Sequence, residues 1–280
     1  MLEILQYQFF QNALIVAVLA SIAAGVIGTF IVIKRMSLIT GSIAHTSFGG
    51  LGISYYLGFN PLVGATIFSL FAATSVAFLR KKAENRLDTL LSFLWATGMA
   101  VGLVFMFITP GYATDLFTYL FGNILLVSSF DLLLLTVLDL IIIVTVFLMY
   151  NSFLAVIFDE EYSEVRNIPV STVYVILFCL IALTVIMVIR VIGIVLMIAL
   201  LTMPAATAQL FNRTVKGMMV AATVITLFST VAGLFISYVM DVSTGPIIAL
   251  LTSLIYVGGI AYKHLRQRGE SPGYVGKGCA

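Results

Sequence analysis

Nine times along the chain, near 9–33, 38–58, 62–79, 89–109, 131–157, 170–189, 192–211, 217–240 and 244–262, about twenty residues pass with almost no charge. A helix needs about 20 apolar residues to cross the hydrocarbon of a bilayer. The runs therefore predict an all-α, polytopic transmembrane bundle of about eight to nine spans. A water-soluble fold fails on composition. The chain is 61% hydrophobic and 9% charged, against about 25% charged for an ordinary soluble domain, and such a chain cannot hide that much apolar surface. Residues 1–262 read as a single transmembrane domain and 263–280 as a cytoplasmic tail. With so many runs behind it, the first reads as a span and not as a cleaved signal.

Basic residues orient the bundle. Lys34 and Arg35 close the first run, and Arg80, Lys81, Lys82 and Arg86 fill the next basic loop. Arg166 marks a third loop, Arg213 and Lys216 a fourth, and Lys263, Arg266, Arg268 and Lys277 lie in the tail. Basic loops stay in the cytoplasm. Placing these inside leaves only Arg190, of the 14 Lys and Arg, on the outer side. Nine crossings then put the N-terminus outside and the C-terminus inside a cell (cytoplasmic or inner) membrane, with lipid as the surrounding partner. A net charge of +2 offers no argument for nucleic acid. Cys179 and Cys279 have no CxxC partners, so neither a disulfide framework nor a zinc knuckle is indicated.

On this topology the outer loops carry Asp115, Asp131 and Asp241. They form an acidic mouth that gathers cations, or they are simply what remains once Lys and Arg are kept inside. The outer segment TYLFGNILLVSSFD (118–131) is too short and polar for a span, and is expected to lie on the membrane surface or dip into it. The inner segment FDEEYSEVRNIP (158–169) has helical character. Asp159 suits a helix start, Glu160 and Glu161 suit the positive end of its dipole, and Pro169 forces the chain into the next span. Such a helix, with Glu164 also on it, is what a soluble partner would grip.

In RMSLITGSIAHTSFGGLG (35–52) a histidine stands inside a span. Helical spacing places Gly41, His45, Gly49 and Gly52 on one stripe with Ser42 beside it. Glycines along a face either admit a neighbouring helix closely or leave an open wall. An ionisable group within a span marks a pathway more often than not, although an imidazole that merely bonds a neighbouring helix is the plainer alternative. Neutral imidazole is a common ligand for first-row transition metals. One histidine makes no four-coordinate site, so hydroxyls, carbonyls or water would complete the set. Asp139, the other ionisable group well inside a span, either pairs with a hydroxyl or joins the path. LLTMPAATAQLF (200–211) suggests a second broken helix, because Pro204 leaves a carbonyl unpaired one turn earlier. Ala205, Ala206, Thr207 and Ala208 then form a small-residue surface for packing or for a path.

No GxxxxGK[ST] loop occurs, so ATP use would need a partner, and no HExxH is present. Ser42 and His45 lack the nucleophile turn and orienting group of a serine hydrolase.

KRMSLITGSIAH (34–45), LDTLLSF (87–93), YLFGNILLVSSFDL (119–132) and RVIGIVLMIALLTMPAATAQLF (190–211), in this order, resemble the membrane permease of metal-ion ABC importers, which take up zinc, manganese or ferrous iron. The resemblance covers nearly the whole chain. It implies a type II importer fold, a homodimer with the pathway near its interface, and no enzymatic activity of its own. It further implies cytoplasmic ATP-binding subunits docked on the coupling helix within 158–169, including Asp159, Glu160, Glu161, Ser163, Glu164, Arg166 and Asn167. An extracytoplasmic metal-binding protein would deliver the ion. No cofactor is held permanently, and the cargo is a divalent transition metal, Zn(II) first and Mn(II) second. The histidine matching His45 is placed on the metal path. Many members carry aspartate where this chain has Gly41, and some zinc permeases carry histidine near Thr97. Ser163 and Asn167 replace the usual alanine and glycine, and asparagine tolerates the left-handed turn. The alternatives are a permease for a metal chelate such as a siderophore or corrinoid, and a membrane scaffold or sensor subunit.

Overall fold

The computed structural model describes residues 6–80, 86–109, 119–122 and 124–269. Every apolar run becomes a helix in it. The helices are α1 (Gln8–Ile33), α2 (Ser37–Tyr56), α3 (Pro61–Leu79), α4 (Leu87–Ile108), α5 (Ser129–Phe158), the short α6 (Glu160–Val165), α7 (Val170–Ile192), α8 (Met197–Phe211), α9 (Val215–Met240) and α10 (Thr244–Gly269). Among the described residues there is no β-strand. Among the described residues, seven helices are long and apolar enough to cross a membrane. The chain is a multi-pass, all-helical membrane protein. The remaining two runs give α2, which is diluted by hydroxyls, glycines and His45, and α8, which has only 15 residues. That is about 22 Å of helix against about 30 Å of hydrocarbon.

Local chemistry sets the helix ends. Asn60 accepts the Leu62 N–H at 3.0 Å ahead of Pro61, whose fixed φ suits a first turn. Ser128 and Asp131 form a reciprocal capping box at the start of α5. Gly193, with φ +82°, ends α7. This break falls near the boundary between the runs 170–189 and 192–211, whereas the further interruption suggested by Pro204 is not seen, since α8 continues through Pro204. Proline removes one hydrogen bond from a ladder that packing still supports, whereas a glycine at positive φ turns the chain off the helix axis.

Of these seven, α1 and α7 are the most enclosed, with 67% and 72% of their membrane windows buried. α2 lies between α3 and α4, and this trio docks on α7 chiefly through α3. On the other side α1 packs on α9, α8, α5 and α7, and α10 closes against α8 and α9. α4, α5 and α10 turn Phe107, Phe147 and Leu254 outward, as lipid-facing side chains do.

The two ends of the bundle are built differently. At one end Lys34, Arg80, Glu160 and Tyr174 converge. At the other, the stretch 119–122 lies along the break after α7. Tyr119 O accepts the Ile194 N–H at 3.0 Å, Leu120 O accepts the Val195 N–H at 3.3 Å, and the Ser243 hydroxyl reaches Gly122 O at 3.2 Å. Gly122 and Gly193 pass so close that a Cβ on either would strike the other's backbone. The segment after Tyr119 is thus folded into the bundle end, with Ile124 and Val127 buried.

Candidate functional site

α2 is joined to α4 along its length. The Ser42 hydroxyl shares its proton between Leu38 O and, across the interface, Leu91 O, each at 2.9 Å. Thr46 does the same with Ser42 O at 2.8 Å and Leu94 O at 3.2 Å. A Cβ at Gly49 would lie 3.0 Å from Gly98 O, and one at Gly52 would lie 2.6 Å from Gly102 O. At both positions the glycine serves close approach of backbones and not an open wall.

His45 sits in the middle of this seam, 7% exposed. Its ring stacks on the Trp95 indole of α4, centroids 4.3 Å apart and planes 24° from parallel. Its Nδ1 is buried without a hydrogen-bond partner, an arrangement that costs about 1–3 kcal/mol. Gly41, one turn earlier, faces the same indole, and a side chain there would run into the Trp95 ring and reach 3.1 Å from Ile198 Cδ1. Among the described residues no three His, Cys, Asp or Glu side chains draw together as a metal site. What the seam offers a cation is one neutral imidazole with backbone carbonyls and hydroxyls nearby.

The other residues picked out by sequence fall in several places. Asp139 is 3% exposed on α5 with Oδ1 unpartnered. α5 packs mainly on α1 and α7, whereas His45 faces α4. Pro204 and Thr207 are buried in α8, and the Thr207 hydroxyl bonds Met203 O at 2.8 Å. Thr97 donates to Phe93 O at 2.6 Å. Asp131 is buried, its Oδ2 taking the Ser128 N–H at 3.2 Å and the Ser128 hydroxyl at 2.9 Å. Asp241 is exposed in a left-handed conformation, φ +52°, capping α9. Asp115 lies outside the described residues, as do Lys81, Lys82, Lys277 and Cys279.

α6 is capped by Asp159, whose Oδ1 accepts the Tyr162 N–H at 2.9 Å. Ser163 is buried and donates to Asp159 O at 2.7 Å. Asn167 leaves the helix at φ +58°. Glu161, Glu164 and Arg166 are exposed. Glu160 turns inward instead. Arg80 holds its two oxygens at 3.0 and 2.9 Å, Lys34 lies at 3.1 Å, and the Tyr174 hydroxyl donates to the same carboxylate. The Arg80 guanidinium also lies 3.5 Å over the Tyr174 ring. Burial alone would push the Glu160 carboxyl up, but bonds from Arg80, Tyr174 and Lys34 hold it down at about 2.

Sequence reasoning passed over Trp95 and the inward turn of Glu160. The available signal for the first was that Trp95 is the chain's single tryptophan. For the second there was none, because the partners of Glu160 come from three other helix ends.

Residues 6–263 match the model of a family described as the ABC 3 transport family. A membrane protein of Synechocystis is 43% identical, the alignment covering 94% of each chain. The manganese transport system membrane protein MntC of Listeria monocytogenes is 33% identical over 90% of each. Among solved structures, PsaBC from Streptococcus pneumoniae in complex with Fab superposes with a TM-score of 0.83 at 29% identity, covering 93% of this chain and 96% of that one.

Proposed function

The chain belongs to the ABC 3 transport family, and from that premise we propose that it is the permease subunit of an ATP-driven importer for divalent transition-metal ions. The observation that carries the reading is His45, a buried imidazole in a membrane helix with an unpartnered Nδ1. A hydrogen-bonding histidine that served packing alone would have that atom satisfied. The manganese relative supports Mn(II) as cargo, and imidazole suits Zn(II) equally.

In this reading two copies pair, and the ion passes near their seam by alternating access. A separate ATPase supplies the energy and an extracytoplasmic binding protein delivers the ion. The end of the bundle holding Lys34, Arg80 and α6 faces the cytoplasm, which supports an outside N-terminus and an inside C-terminus. α6 is the element that the ATPase grips, presenting Glu161 and Glu164 outward, while Glu160 ties it to the membrane helices.

Reconstituting the chain in liposomes with the ATPase that co-purifies with it, and measuring radiolabelled manganese and zinc uptake, tests this. His45→Ala abolishes ATP-dependent uptake of both ions while leaving insertion intact. Undiminished uptake by that variant would take His45 off the path.

A further inference from the structure

We propose that the Trp95 indole is a cover on His45, which must swing off the imidazole before a divalent metal ion binds there, so that Trp95 together with Gly41 sets how readily the ion is taken. This rests on the reading of His45 as a ligand on the path.

Three observations converge. The indole lies flat on the imidazole at 4.3 Å, and Nδ1 is buried without a partner, so the ring is held against the indole on one face while this nitrogen is unused. The space one turn below, where a second ligand from α2 would have to stand, is filled by the indole edge against Gly41. Finally, the backbones cannot part easily. α2 and α4 are tied by Ser42 to Leu91 and by Thr46 to Leu94, and they meet closely at Gly49–Gly98 and Gly52–Gly102. Helix separation would break all of these at once. Rotation of the indole breaks none of them and gives up only its stack on His45 and its packing against Gly41. Trp95 is only partly buried, and Ser92 and Ala96 beside it on α4 are small and exposed, which leaves room on the outward side.

A closed cover lowers the apparent affinity by the fraction of time it is open. The strength of a stacked aromatic pair puts that reduction at about two- to tenfold. The experiment uses the full chain in detergent micelles, which bring no second protein, with Zn(II) alone as titrant, following tryptophan emission and, in parallel, bound zinc by equilibrium dialysis. Because the chain has one tryptophan, all indole emission reports Trp95. The expected result is an emission change with the midpoint of the dialysis curve, absent together with binding in His45→Ala, and binding about two- to tenfold tighter in Trp95→Ala. The wild-type titration needs no variant to fold, and Trp95→Phe, which keeps a ring, is expected to lie between wild type and Trp95→Ala. Zinc binding that depends on His45 while emission stays flat, or a Trp95→Ala protein that binds no tighter, overturns the cover and leaves His45 as a ligand. Absence of any His45-dependent binding removes the underlying reading, and the cover with it.

Discussion

Glu160 receives Lys34, Arg80 and the Tyr174 hydroxyl on one carboxylate. Glu160→Gln keeps the shape but loses the charge, and is expected to lower stability by about 1–2 kcal/mol in detergent denaturation. The pH dependence has a definite sign. The carboxyl is held at about 2 in the folded chain against an ordinary 4.5, so its contribution is complete above about 4.5. It fades as the pH falls from there through about 2. Wild type should therefore lose its advantage over Glu160→Gln within that acid window, and parallel curves would argue against the assignment. His45 was legible in the sequence because an ionisable group in an apolar run stands out by itself. Glu160 and Trp95 were not, because what distinguishes them is a contact with residues far away in the chain, and a tryptophan in a greasy segment carries no mark of its own.

Among elements, the helices were legible almost to their ends, since twenty uncharged residues admit few other structures in lipid. How they pack was not. The spacing of Gly41, Gly49 and Gly52 identified a face of α2 without deciding whether that face meets backbone or open space. The answer depends on Gly98 and Gly102 of α4, where the matching gaps lie. Gly98→Val would push a side chain into the Thr46 backbone and the His45 carbonyl. We expect a loss of about 1–3 kcal/mol, typical of overpacking, read as a lower unfolding temperature in nanodiscs. An unchanged transition would mean that the α2–α4 contact gives way more easily than its geometry indicates. The break at Gly193 lies close to the boundary between the runs 170–189 and 192–211, but what fixes it there, the pairing with Tyr119–Gly122, is a tertiary contact that carries no local signal.

For the molecule as a whole, the alternation of helices carries residues 34, 80, 160 and 213 to one end and 122, 193 and 241 to the other. In a Cys279→Ser background, Asp241→Cys is expected to react with a membrane-impermeant maleimide in intact cells, and Arg213→Cys only after permeabilisation. The reverse pattern would invert the orientation proposed above. The convergence on Glu160 bears on how such a bundle can change shape. Three membrane helices hang from one hinge pin that belongs to none of them, and the short helix carrying it is the part a neighbour can reach. Tugging that pin would loosen or tighten all three together, so that end of the bundle would behave as one lever, with no need for a relay of separate adjustments along the chain.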